Sequence, residues 1–374
     1  MKKKVLAAIM AAAVILAGCG GNDGGTSEAP VETMSPVIVE DTPEPSPEAT
    51  EEPEAEPEVE EETREGMYRS ELTNEWIDEG LKNQRPIAVM VDNEKIALPH
   101  YGLTEADVVY EIMNSTLNDR ITRFMVLVKD WEKIQQMGSI RSTRSTNIYL
   151  VGEWNAVLCH DGGPYFAMDL IAEKAYCDNF SGTFSRVQNG KPTEFTEYIL
   201  AGDLEKNFSS KNYSKEYNEH YEGEHFQFSN EEIDLSGEAG AIDCTEIQLP
   251  FKHNGSTLKY NEETGTYDYY EYGQAHLDPQ HDNAQLSFKN LLIQDCTFSD
   301  LGDGYLVYNV LDTSGRSGYY ITNGKAIEVN WYKGSDTAPT TFYKKGTSEE
   351  IQLNTGKTYI SIVPSDGWDD IVIK

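Results

Sequence analysis

Positive charge is scarce in this chain of 374 residues. Thirty Lys and Arg stand against 64 Asp and Glu, a net charge of −34. So acidic a surface excludes nucleic acid, anionic lipid and anionic wall polymers as bulk electrostatic partners, and says nothing about fold. Cysteine is sparse too. None of the five Cys forms a Cys-x-x-Cys pair or a zinc spacing, and Cys159, inside Ala156-Val157-Leu158-Cys159, reads as a small buried hydrophobe. Cys159, Cys177, Cys244 and Cys296 are therefore expected mostly as free thiols. No Gly-x-Ser-x-Gly elbow, phosphate loop or dinucleotide fingerprint occurs, which leaves nucleophilic and nucleotide chemistry without a motif. His220 with His225 and His276 with His281 stand five residues apart in polar segments, a weak pattern for coordination. No metal and no cofactor are expected.

The first informative feature present is Leu16-Ala17-Gly18-Cys19. It follows a basic start, Lys2 to Lys4, and an apolar run, Val5 to Leu16, that is too short to span a membrane. A small-small-Cys ending is the pattern of lipoprotein processing, in which the Cys19 thiol takes a diacylglyceryl group and becomes the new N-terminus. Two acyl chains at about 0.8 kcal/mol per buried methylene hold a protein stably where one does not. Residues 1–18 are thus read as a lipoprotein signal peptide. The expected localisation is the cell membrane, lipid-anchored on its extracytoplasmic face.

Behind Cys19 the composition shifts. Between Gly20 and Gly66 there are 16 Asp and Glu against one Arg, with seven of the chain's 15 prolines. Such a stretch cannot bury enough apolar surface to offset its conformational entropy. Residues 19–66 are read as an acidic, disordered tether.

The remaining residues carry strand and helix signals in sequence. Pro86 to Asp92 is a short apolar run of the kind covered on both faces, Val108 to Ile112 leans to strand, and Ile121 to Val128 is a clearer one. Ser145 to Trp154 has helical spacing, Ala156 to His160 is a short strand, and Tyr165 to Tyr176 reads as a helix behind Pro164. Beyond residue 240 the signals become uniformly β, with Asn323-Gly324 the strongest hairpin signal, because both centre residues of a type I′ turn need positive φ. The fold class expected is α+β or α/β: an N-terminal mixed layered α/β domain over residues 67–240, then a smaller antiparallel β-rich domain over 241–374.

The order of these segments resembles the YerB-like lipoproteins, a family of two domains of unknown function. The resemblance rests on Arg85-Pro86-Ile-Ala-Val-Met-Val-Asp92-Asn93, on Leu103-Thr-Glu-Ala-Asp107-Val-Val-Tyr110-Glu111, on Ile121-Thr-Arg123-Phe124, on Gly138-Ser-Ile-Arg141-Ser142-Thr-Arg144 and on His160-x-Gly162-Gly163. In the second half it rests on His276-Leu-Asp278, Leu286 to Ile293, Trp331 and Leu353-x-x-Gly356-x-Thr-Tyr-Ile-x-Ile-Val-Pro364. One departure is visible: Pro192-Thr193-Glu194 stands where the family pattern has Pro-His-Asn. The resemblance implies anchoring and architecture and supplies no reaction.

Asp92, Glu111 and His160 each close an apolar strand-like run, and in α/β sheets ligands bind outside the carboxyl ends of strands. Arg141 and Arg144 open a helix, where backbone N–H groups favour anions. With Asn93 and Arg123 from the same motifs, these residues are the ligand-binding candidates. The arginines either pair structurally with Asp92 and Glu111 or meet an anionic ligand, and His160 alone reads more readily as a core histidine than as a catalyst. The function expected is a binding or scaffolding module at the cell envelope, with the membrane as partner through its anchor and a cell-wall or envelope protein as further partner. The alternative is a hydrolase-like envelope enzyme using His160 with Asp92 and Glu111.

Overall fold

The computed structural model describes residues 63–374. The signal segment, the lipidation candidate Cys19 and the tether up to residue 62 lie outside the described residues. The main sheet contains β1 (Ile87–Asp92), β2 (Val108–Met113), β3 (Thr122–Val128), β4 (Val157–His160), β5 (Asn179–Ser181), β6 (Ile242–Asp243), β7 (Asn290–Cys296), β8 (Asp312–Thr322), β9 (Lys325–Lys333), β10 (Thr341–Lys344) and β11 (Thr358–Pro364). Its order is β6-β9-β8-β7-β11-β2-β3-β1-β4-β5, with β10 also on β9. Every residue of β1, β2, β3 and β11 is buried. A strand buried on both faces needs a neighbour on each edge and cover above and below. For β11 the neighbours are β7 and β2, both parallel, with Tyr359 beside Val109 and Ser361 beside Glu111.

This pairing corrects the fold class expected from sequence. The described residues are mostly strand, with three α-helices of nine residues each, α1 (Ser145–Glu153), α2 (Tyr165–Glu173) and α3 (Asp203–Lys211). It is not a layered α/β domain followed by a separate β domain. The strand and helix signals of residues 86–173 were local and sound. What they do not carry is that β2, β3 and β1 pair antiparallel without helical crossovers, or that a segment 250 residues downstream of β2 completes the same sheet. Parallel neighbours far apart in sequence leave no local mark.

Successive strand residues point to opposite faces, and β2 shows what covers each. The Tyr110 hydroxyl donates to Glu153 Oε1 at 2.8 Å at the end of α1 and accepts from Trp154 Nε1 at 3.0 Å. Glu111 turns the other way, towards a second sheet built from Glu246–Gln248, Thr257–Asn261, Thr266–Glu271, Gln274–Ala275, Ser287–Phe288 and Val372–Ile373. Phe124 on β3 meets Tyr269 of that sheet edge-on, ring centres 5.7 Å apart. Asn323 and Gly324 take φ of 49° and 74° between β8 and β9, as the hairpin pattern requires. Cys159, Cys177, Cys244 and Cys296 are all buried free thiols. Burial pushes Cys177, Cys244 and Cys296 up to about 12, so all three are protonated and unreactive at neutral pH.

Candidate functional site

The candidates read from the sequence fall into three separate settings. Asp92, at the end of β1, is fully buried and accepts from Arg123 at 3.1 Å, from Arg141 Nε at 2.9 Å and from the Glu94 backbone at 2.7 Å. Arg123 also donates to the Ser142 carbonyl at 2.6 Å. The Arg141 guanidinium lies over Phe195, 4.8 Å from the ring centre. A carboxylate held by two guanidinium groups is a packed structural pair, not an empty receptor.

Glu111, also fully buried, stands apart from that pair. Its Oε1 accepts from Thr122, Asn254 and Ser256 at 2.8, 2.8 and 2.6 Å and from Asn93 at 3.3 Å, and its Oε2 accepts from Tyr269 and Tyr359. The donors come from both sheets, so this carboxylate pins the second sheet to the first.

His160 lies elsewhere again. Its Nδ1 is 2.7 Å from the Gly162 carbonyl and its Nε2 3.3 Å from Asn179 Oδ1. A neutral ring donates to one acceptor, and the shorter contact assigns Nδ1–H. Burial holds its pKa below the usual imidazole range. Asp92, Glu111 and His160 therefore each answer to separate partners, with no cleft shared between them. Arg144 differs from Arg141. It donates to the Thr143 carbonyl at 2.8 Å and lies over Tyr305, and its Nε has no hydrogen-bond partner. Exchanging Arg141 for Gln should cost about 1–3 kcal/mol of stability, because Asp92 loses a charged donor. Exchanging Arg144 for Gln should cost under about 1 kcal/mol, since no carboxylate among the described residues pairs with it. Denaturation curves for the two single variants check this split, and equal large losses would contradict it.

The structure gathers another set that sequence reasoning passed over: His100, Glu271 and His276. Each offers one ligating atom, and these atoms lie within 4.8 Å of one another. All three are buried, at 0, 2 and 3 % exposure. Local geometry explains how they meet. Glu271 ends one strand, Tyr272 and Gly273 turn with positive φ, and the chain returns so that the His276 N–H bonds the Tyr269 carbonyl. Glu271 and His276 thus flank one tight hairpin. His100 arrives from the other half of the chain. Tyr101 next to it exchanges two backbone hydrogen bonds with Gly138. Asp278, two residues past His276, accepts from the Gly102 and Thr104 amides and from the Thr104 hydroxyl at 3.0, 3.0 and 2.7 Å. That clamp fixes the His100 segment against the His276 segment.

The polar atoms within this set are incompletely matched. His276 Nδ1–H donates to Glu271 Oε1 at 2.8 Å. Neither ring nitrogen of His100 makes a hydrogen bond of good geometry, nor do His276 Nε2 and Glu271 Oε2, although the Asp92 backbone approaches His100 and the Asn254 side chain approaches Glu271. The two imidazole centres are 5.0 Å apart, with Phe124 at 5.9 Å from His100 and Tyr269 at 5.7 Å from His276. Burial, with the neighbouring His276, holds His100 well below the usual imidazole range, and burial lifts the Glu271 carboxyl. Beside the set lies a cavity of about 370 Å³ whose walls include Lys95, Leu98, Pro99, Tyr272 and Ala275 as well as Glu271 and His276. A larger hollow of about 510 Å³, near Leu235, Tyr320 and Lys344, has no unpartnered buried side-chain atom in its lining. The sequence signal for the set was faint. His276-Leu-Asp278 was visible as a motif, but His276 was paired by spacing with His281, which instead bonds Glu105 at the surface at 2.7 Å.

Fold and site define a mixed, mainly antiparallel β protein in which one cluster with unmatched buried groups, His100, Glu271 and His276, joins its two halves. Residues 72–214 match the model described as "Protein of unknown function (DUF3048) N-terminal domain", and residues 247–360 match its C-terminal counterpart. The chain belongs to the DUF3048 family. His100 falls in the first matched segment, and Glu271 and His276 in the second. YerB of Bacillus subtilis (strain 168), whose name describes it as a presumed lipoprotein, is 29% identical over 94 residues, 25% of this chain and 27% of its own length. The chain thus matches about a quarter of that relative. The crystal structure of YerB from Bacillus subtilis superposes with a TM-score of 0.69 at 21% identity, over 82% of this chain and 99% of the other. That likeness is one of fold. No helix among the described residues is long and apolar enough to cross a membrane.

Proposed function

We propose that this protein is a membrane-tethered binding module of the cell envelope, and that its ligand enters the cavity walled by Glu271 and His276. The anchoring half of this reading is supported by Leu16-Ala17-Gly18-Cys19 and by the lipoprotein name of the relative. The binding half is carried by one observation: a cavity of about 370 Å³ ends on two buried polar side chains that still have unmatched atoms. Binding sites are concave, largely apolar and furnished with a few convergent polar groups, and Leu98, Pro99 and Ala275 supply the apolar wall here. Lys95 in the same wall is a cation on an acidic protein, suited to a ligand that carries a carboxylate or phosphate. An envelope-protein or cell-wall component presenting such a group is the partner this reading favours.

The test fills the cavity. Ala275→Trp should abolish capture of envelope material by the mature chain, read by mass spectrometry of what co-purifies, with the melting temperature nearly unchanged. Equal capture by the filled variant would place binding elsewhere.

A further inference from the structure

We propose that His100, Glu271 and His276 form a binding site for one divalent transition-metal ion of the zinc class at the floor of that cavity. The inference rests on the reading of the cavity only for what the ion would meet on its open side. The site itself stands on the three side chains. A polar atom buried without a hydrogen bond loses its hydration with nothing in return. Here each of the three residues brings one potential ligand atom within 4.8 Å of the others, and each has at least one side-chain atom without a hydrogen-bond partner. A neutral imidazole offers one nitrogen lone pair and a carboxylate its oxygens, so one ion would take one donor from each residue.

Chemistry selects the ion. Two imidazole nitrogens and one carboxylate suit zinc and its neighbours, whereas calcium and magnesium favour shells of oxygen and copper(I) favours sulfur. No thiol belongs to the set. Zinc–ligand distances of about 2.0–2.2 Å put tetrahedral ligand atoms about 3.4 Å apart, so closure from 4.8 Å asks for a shift of about 1.4 Å at most. Three protein ligands leave one position open, and Glu271 and His276 both border the cavity. A carboxylate or phosphate entering past Lys95 would take that position.

The site also explains an arrangement the fold leaves otherwise unaccounted for. His100 comes from one family segment and Glu271 and His276 from the other. An ion held by all three would cross-link the halves beside the Asp278 clamp.

The experiment uses the mature chain in detergent, stripped with a chelator. Titration with zinc should show one saturable site per chain, and cobalt(II) in its place should give the visible absorption of a four- or five-coordinate ion. Millimolar calcium or magnesium should not displace either metal. His100→Gln and His276→Gln should each weaken zinc binding at least 100-fold, and Glu271→Gln about 10-fold, while the circular dichroism of the metal-free protein is unchanged. Absence of a saturable site in the stripped wild-type chain, or zinc affinity unaltered in both histidine variants, would overturn the proposal. Should a histidine variant fail to fold, X-ray absorption of the zinc-loaded wild-type chain decides: two imidazoles in the first shell support the site, and an all-oxygen shell refutes it. Loss of ligand capture in Ala275→Trp with zinc binding intact separates the cavity from the metal. Ligand capture by a chain that binds no zinc sinks this proposal alone.

Discussion

Replacing Glu111 with glutamine should lower the stability of the folded chain by about 3–5 kcal/mol, because the change strikes a buried carboxylate that six side chains serve as donors. Glutamine keeps the shape but turns half of the acceptor into an NH₂ group. That group would face the hydroxyls of Tyr269 and Tyr359, which would have to turn from donating to accepting, or else Thr122, Asn254 and Ser256, where it opposes the Asn254 NH₂. Neutralising the charge also removes the charge-assisted part of every bond, each of which is worth about twice its neutral counterpart. The donors lie on β2's neighbour β3, on β11 and in the second sheet, so the loss should be cooperative. Denaturant unfolding of Glu111→Gln should show a lowered midpoint with an unchanged slope. A change under about 1 kcal/mol would mean that these donors have other acceptors or reach water, and that the two sheets are held together by apolar packing alone.

Cys19→Ala should move the protein out of the membrane fraction, into the medium or into unprocessed precursor. The expectation rests on the thiol as the atom that takes the lipid, and without it the N-terminus offers an apolar run of only 12 residues, Val5 to Leu16, against the roughly 20 a membrane-spanning helix needs. Fractionation of cells expressing the variant, followed by immunoblotting for precursor and mature forms, reads the outcome. Normal processing with full membrane retention would show that something other than acyl chains holds the protein.

What sequence reading recovered, it recovered where the signal was local. The strands at Ile87–Asp92 and Thr122–Val128 and the helix starting at Tyr165 stand as read, since apolar runs and a proline before a helix act within one element. The Asn323-Gly324 turn is of the same kind. The architecture was not legible, because the parallel contacts of Thr358–Pro364 with β7 and β2 join segments with no shared pattern. Chain-order alternation of strands and helices suggested a layered α/β domain, while most of the connections that matter are antiparallel and helix-free.

The site divides on the same line. Asp92, Glu111 and His160 read from sequence as one pocket with Arg141 and Arg144; of these Asp92 and Arg141 meet, with Arg123, in a structural ion cluster, and Glu111 and His160 lie apart from it. Glu111 was seen as a strand-end acid, and its donors Asn254, Ser256 and Tyr269 lie about 140–160 residues away, beyond any spacing rule. His100 follows a proline in an unpatterned segment, and it meets His276 only in the folded chain, where Asp278 clamps the two segments together. Five-residue spacing drew His276 towards His281, whereas the hairpin at Tyr272-Gly273 places it beside Glu271.

The most direct test of where this molecule does its chemistry is an anomalous difference map at the zinc absorption edge, from crystals of the zinc-loaded chain. One strong peak is expected about 2.0–2.2 Å from a nitrogen of His100, a nitrogen of His276 and a carboxylate oxygen of Glu271, with an open coordination position on the cavity beside Ala275. Ordered water hydrogen-bonded among those three side chains, with no anomalous density there, would contradict it.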